Sequence, residues 1–328
     1  MIKNLKKIIV LSSLLITSTL LAEVKEIVVS KQYGISYLSL IVLEEQKLIE
    51  KYAKEDGLGD IKVNWATFGG GSIANDALLS GNAHIVGGGN GPFIRLWDKT
   101  EGKVKALAAL NESPIVFVSN NPNVKSLKDL TEKDKIAVPS VKVSVQSLLL
   151  QIAAAKEFGI KSYDKFDNLT VSLKNPDAYA AITSGNSPVT GHISLDPYPT
   201  LELEKPNIHK VFDSFTLLGG AHTTNLIWAT ENFYKENPKL SKAVVKALDE
   251  ANKWIVNNHD EAVKLYLASY KSDESPELIS KVLKNSITFN TKPKENITQF
   301  SDFLYDVGAI KKKPTSWEEL FFDSIKWK

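Results

Sequence analysis

The chain has 328 residues, with 40 Lys+Arg against 38 Asp+Glu and no cysteine. Its length fits about two compact domains of roughly 150 residues each, and 43% hydrophobic with 24% charged residues excludes a disordered chain and a multi-span membrane protein. Without cysteine there is no thiol nucleophile, disulfide, CxxC redox pair or thiolate zinc site, and with one arginine, Arg95, beside 39 lysines, bidentate guanidinium recognition of an anion is nearly excluded.

The first 22 residues read as an export signal. Lys3, Lys6 and Lys7 form a positive start, an uncharged run from Ile8 to Leu21 follows, and small Ala22 precedes Glu23. Those fourteen residues are too few for a bilayer span, which needs about 20. Cleavage after Ala22 is expected, and a lipoprotein is excluded because no cysteine follows the cleavage point. Loss of the three lysines leaves 37 basic residues against 38 acidic, a net charge of −1. No basic excess draws such a chain to nucleic acid or anionic lipid. The expected location is the periplasm, as a soluble monomer.

Glu26–Ser30 reads as a short buried strand. Leu38, Ile41, Val42, Leu48, Ile49 and Tyr52 recur at helical spacing. A strand over residues 61–67 follows, then Phe68-Gly69-Gly70-Gly71, with Ser72 as N-cap of a helix ending at Gly81. Ala83 to Val86 is a third strand, Gly87 to Gly91 a second glycine loop, and Pro92 opens a helix through Trp97. Strand, loop and helix repeated in this way build a parallel sheet with right-handed crossovers.

A second region repeats the pattern. Lys135 to Val138 is a strand, Pro139 to Val143 a loop, and Ser144 begins a helix through Glu157. Leu169 to Leu173 is a strand, and Asn175-Pro176 caps another helix. Ala77-Leu-Leu-Ser-Gly-Asn82 is echoed 104 positions later by Ala181-Ile-Thr-Ser-Gly-Asn186, each copy ending a helix on glycine before a strand. Two similar α/β lobes are therefore expected. From Pro238 onward the chain turns mostly helical, with helices around Leu240–Ile255, Ala262–Tyr270 and Lys294–Val307, the last stopped by Gly308. No flexible linker is visible, so strands passing between the lobes must join them, with candidates at 110–117 and 215–228. Lobe one is then discontinuous, residues 23–112 and 222–328, and lobe two is 113–221.

His84, His192, His209, His222 and His259 show no HExxH or helical-turn pairing, so neither a metal site nor a cofactor is expected. No GxSxG, P-loop or GxGxxG occurs. The glycine loops have a more general use: glycine ahead of a helix lets a ligand approach the backbone and meet unpaired N–H groups. Such sites precede Ser72, Pro92 and Ser144, all at strand C-termini, where open α/β sheets hold ligands. Tyr33, Tyr37, Phe68 and Phe93 could wall them. Asp196 is either a helix cap or an acceptor for a ligand amine, and Lys142 either a solvated loop lysine or a positive charge for an anion.

The export signal, Trp65-Ala-Thr-Phe-Gly-Gly-Gly-Ser72, Ala77-Leu-Leu-Ser-Gly81, the glycine loop before Pro92, Ile136-Ala-Val-Pro139, Val141-Lys-Val-Ser144 and Asn237-Pro-Lys-Leu240 together resemble one family. It is the nitrate/sulfonate/taurine group of substrate-binding proteins of bacterial ABC importers, which shares its fold with thiamine-pyrimidine-binding proteins. The resemblance implies a type II periplasmic-binding-protein fold, with two α/β lobes closing on a small solute and then delivering it to membrane permease subunits. It also implies that Gly70, Gly71, Ser72, Gly89, Asn90, Ser144 and Asp196 line the cleft. A small organic anion is the expected ligand, ahead of a neutral pyrimidine. An enzyme on the same fold is the competing class, distinguished by turnover of candidate precursors. A membrane-receptor sensor module needs a spanning helix, which the sequence after residue 22 lacks.

Overall fold

The computed structural model describes residues 23–271 and 274–322; the expected export signal and its cleavage site after Ala22 fall outside them. β1 (Glu26–Lys31) buries Ile27 and Val29, and it runs parallel to both β2 (Lys62–Thr67) and β3 (Ile85–Gly89). The connections are α1 (Leu38–Glu45), α2 (Leu48–Glu55) and α3 (Gly71–Leu79). α4 (Asn90–Lys99) leads to β4 (Val104–Glu112), and Ser113-Pro114-Ile115 then carries the chain into a second sheet at β5 (Val116–Ser119).

That second sheet follows the same alternation. β6 (Ile136–Val138), α5 (Val145–Phe158), β7 (Thr170–Ser172), α6 (Asn175–Ser184), β8 (Gly191–Ser194), α7 (Tyr198–Leu203) and β9 (His209–Asp213) succeed one another. Through α8 (Ser214–Leu218) the chain returns to the first sheet as β10 (Thr223–Thr230). α9 (Glu231–Glu236), α10 (Pro238–Asn257), α11 (His259–Tyr270), α12 (Pro276–Asn285), β11 (Thr288–Phe289) and α13 (Thr298–Asp306) complete it.

The first sheet has the order β11-β4-β10-β3-β1-β2 and the second β7-β6-β8-β5-β9. Strands joined by helical crossovers are parallel, whereas β5 and β10, which carry the chain between sheets, run antiparallel to their neighbours. The two crossings lie side by side and are tied together. Ser214 N donates to Ile115 O, Ile115 N donates to Ser214 Oγ, and the Thr224 hydroxyl donates to Ser113 O at 2.7 Å. His222 bridges Ser214 and Thr224 through its two ring nitrogens. Burial holds the His222 imidazole down at about 4, so it stays neutral there.

One apolar cluster joins α1, α2 and α10 to one face of the first sheet. Another begins at Phe93, Trp97 and Trp228 and continues through Leu148, Leu149 and Ile152 of α5 into the second lobe. α4 thus packs on α5 across the cleft, and the lobes touch through apolar side chains.

Some expectations are corrected. Gly87–Gly89 are strand, not loop. The missing side chains make room for neighbours: a methyl built on Gly87 would sit 2.8 Å from Leu40 Cδ1, and one on Gly88 2.7 Å from Trp228. The helical run from Leu38 breaks at Lys47, which is left-handed with φ of 50°, because Glu45, Gln46 and Lys47 are exposed and no apolar contact carries the helix through. α3 starts at Gly71 with Gly70 as N-cap, so Ser72 lies inside the helix and caps nothing. Lys174, not Asn175, is the residue before α6. The doubled helix–glycine–strand match does hold: Gly81 and Gly185 follow α3 and α6 with φ of 77° and 71°.

Candidate functional site

A void lies where the two lobes meet. Gln32, Tyr37, Gly71, Gly89, Pro92 and Asn225 line it from the first lobe, and Pro139, Ser144, Val145, Gln146, Asn175 and Leu195 from the second. It leaves about 10 Å³ to the centre of a water molecule, room for about one water. Larger hollows exist, but they are open surface grooves: one of about 380 Å³ beside Leu79, Lys99 and Thr230, and one of about 390 Å³ beside Glu45, Trp254 and Leu265.

Helix starts converge here. Gly71 opens α3, Gly89 precedes α4, Ser144 caps α5 and Asn175 opens α6. Each helix start leaves N–H groups without a carbonyl partner and carries an effective partial positive charge. In α5, the Ser144 hydroxyl accepts from Ser147 N, while Val145 N and Gln146 N have no backbone acceptor.

The lobes approach closely because the first lobe presents glycine to the second. A methyl on Gly89 would lie 2.7 Å from Val145 Cγ1, and one on Gly70 2.6 Å from Ser140 Oγ and 3.0 Å from Pro139 O. Gly34, with φ of 118°, faces Asp196 O and Tyr198 in the same way. The sole arginine reinforces the contact: Arg95 donates to Lys142 O at 3.1 Å, α4 to the loop before α5. Tyrosine pairs lie on both sides of this contact. Tyr33 meets Tyr270 at 6.3 Å, Tyr198 meets Tyr179 at 6.3 Å, and Lys174 Nζ lies 5.7 Å from the Tyr33 ring.

Of the residues singled out from sequence, Gly71, Gly89 and Ser144 line the void. Gly70 sits at the inter-lobe contact, and Tyr33 lies outside the void against Tyr270 and Lys174. Phe68 packs on the apolar cluster, and Ser72 is half-buried within α3. Asn90 is fully buried in the first turn of α4, where its amide donates to Thr223 O at 2.8 Å. Lys142 is exposed, outside the void, with φ of 64°. Asp196 is 3% exposed and accepts from the Thr200 hydroxyl at 2.5 Å, and burial pushes its carboxyl above the usual range. The N-cap of α7 is Pro197, so Asp196 precedes the helix and is tied to its first turn through the Thr200 hydroxyl.

Sequence reasoning missed Gln32, Asn225, Gln146 and Leu195. Asn225 had a usable signal, a carboxamide in the otherwise apolar strand Asn225-Leu-Ile-Trp-Ala, where a buried polar group demands a partner. Tyr37 was flagged only as a wall, yet its hydroxyl donates to Asn225 Oδ1 at 3.0 Å. Among the described residues no group of three or more His, Cys, Asp or Glu could hold a metal, and no helix is long and apolar enough to cross a membrane.

Two α/β lobes joined by paired crossings, with helix starts converging between them, define the periplasmic-binding-protein fold. The profile of the NMT1-like family matches residues 33–268, and the chain belongs to that family. Solved structures agree in fold. The alkanesulfonate-binding protein SsuA of Xanthomonas axonopodis pv. citri, bound to MOPS, has a TM-score of 0.72 and 17% identity, covering 89% of this chain and 96% of that one. The periplasmic aliphatic sulphonate binding protein SsuA of Escherichia coli scores 0.66 at 20% identity, covering 92% and 100%. The periplasmic nitrate-binding protein NrtA of Synechocystis PCC 6803 scores 0.68 at 16%, covering 90% and 84%. No curated protein matches in sequence.

Proposed function

We propose that the chain is an exported solute receptor of an ABC importer. It would capture a small organic anion, sulfonate-like or related, between its lobes by hinge closure and deliver it to membrane permease subunits, acting as a monomer with no chemical step. The observation that carries this reading is the convergence of four helix starts, from both lobes, on one void. Backbone N–H groups and helix dipoles favour an anion there without any arginine. The similar solved structures, which bind sulfonates and nitrate, support the same class. Export is supported by the charged, apolar and small-residue order of residues 1–22.

A neutral pyrimidine is the second reading, favoured by the absence of any Lys or Arg among the residues lining the void. A melting screen across sulfonates, taurine, nitrate, carboxylates and thiamine pyrimidines separates the two. A ligand at 100 times its Kd stabilises the fold by about 2.7 kcal/mol. Shifts confined to acids support the anion, and shifts confined to neutral compounds replace it with the pyrimidine. Mass spectrometry of exported protein is expected to find Glu23 at the N-terminus; retention of Met1 would remove the export claim.

A further inference from the structure

The loop before α5 takes its shape from contacts on both sides of the cleft. Within the second lobe a single carbonyl organises it. Ser140 O receives Val143 N at 3.3 Å, Ser144 N at 2.9 Å and the Ser147 hydroxyl at 2.9 Å. Val141 N donates to Ser172 Oγ of β7 at 3.2 Å. The turn closed in this way places Lys142, at its middle, at φ of 64°. A residue with a Cβ adopts that left-handed backbone at a cost that glycine avoids.

The first lobe supplies what holds Lys142 there. From α4, the Arg95 guanidinium donates through Nη2 to Lys142 O at 3.1 Å. A hydrogen bond from a charged donor is comparable in size to the left-handed penalty. Asp167, buried in the second lobe and bound through both oxygens by Gln151 Nε2 at 3.0 Å, attracts Arg95 and Lys142 alike. One turn earlier in α4, Gly91 lies against the same loop, where a methyl would sit 3.2 Å from both Val143 O and Val145 Cα. The loop then delivers Ser144 as the cap of α5, its hydroxyl accepting from Ser147 N at 3.2 Å. Val145 and Gln146, which line the void, follow directly.

We propose that Arg95 is a positioning residue. From the first lobe it fixes the start of α5 in the second, so the α5 side of the void takes its final geometry only when the lobes meet. Lobe closure and assembly of the site are then one event. This rests on the receptor reading above, in which the lobes close, yet it assumes no particular solute.

Hydrogen exchange on the whole protein without added solute tests it, read by mass spectrometry over residues 140–149. The reporters are the amides of Val143, Ser144, Ser147 and Leu148, all bonded within that segment, and α4 and the later turns of α5 are the references. Arg95→Met keeps the apolar stem and removes every donor. It is expected to speed exchange of the reporters about tenfold, as loss of one charged hydrogen bond gives, while the references stay unchanged. In a Lys142→Gly background, where the left-handed backbone carries no penalty, the same arginine change should matter less than about threefold. That difference separates positioning from packing, because an arginine that only packs would loosen α4 and α5 together, whatever stands at 142. Should Arg95→Met not fold, Arg95→Lys, which keeps the stem and the charge but loses the planar fork, takes its place with the same two expectations. Unchanged reporters, loosening shared with the references, or an equal effect in the glycine background overturns the proposal. Because no solute enters the experiment, its result stands apart from the melting screen that decides the anion reading.

Discussion

Gly89 shows how a missing side chain lets two lobes approach closely. Its φ of −71° is open to any residue, so backbone freedom is not the reason for glycine. What a side chain would meet is Val145 of the other lobe, at 2.7 Å. Gly89→Ala is therefore expected to fold with little change in melting temperature yet bind ligand about tenfold more weakly, as an overlap of that size typically costs 1 kcal/mol or more. Unchanged affinity by calorimetry would mean that the lobes need not approach this closely. His222 gives a residue-scale prediction in pH. Its folded pKa of about 4 lies below the ordinary 6.5, so the unfolded chain takes up the proton first as pH falls. The stabilisation is complete above about pH 6.5 and is lost as pH drops towards 4, on the order of 3 kcal/mol in all. Melting from pH 7 to 4 should show this slope, and His222→Gln should flatten it; equal slopes would show that other groups govern the acid limb.

At the scale of elements, α4 against α5 is the contact that links lobe packing to the cleft. Leu148 is fully buried there, and its Cδ2 would lie 3.3 Å from a methyl on Gly91 of α4. Leu148→Ala is expected to lower stability by about 2–5 kcal/mol, read by denaturant unfolding; a loss under 1 kcal/mol would show the seam to be loosely packed. Elements of this kind were legible in the sequence where local chemistry decides them. Ser144 ahead of an apolar periodic run does cap α5, and glycine after Leu-Ser or Thr-Ser does end α3 and α6 with a left-handed residue. Legibility fails where packing at a distance decides. Gly87–Gly89 read as a loop by composition, but Leu40 and Trp228 fill the space beside them and hold them in strand. α12, with Ile279, Val282 and Leu283 buried and Ser275 as N-cap, carried an ordinary helix pattern that went unread. The Tyr37–Asn225 bond joins residues 188 apart, and no spacing rule finds such a pair.

At the scale of the whole molecule, two lobes touch through glycine and an apolar seam between α4 and α5. They are joined by crossings at 113–115 and 214–222 whose mutual hydrogen bonds make them one unit. The residual void has room for about one water, so a solute of several heavy atoms enters only if the lobes separate and then close on it. A few residues at the two crossings are enough to absorb such a rotation. Small-angle scattering with and without a saturating ligand from the screen tests this most directly. A smaller radius of gyration is expected with ligand, and no such decrease for Gly89→Ala. An unchanged radius alongside a clear thermal shift would mean a rigid site and would contradict closure of the lobes on the solute.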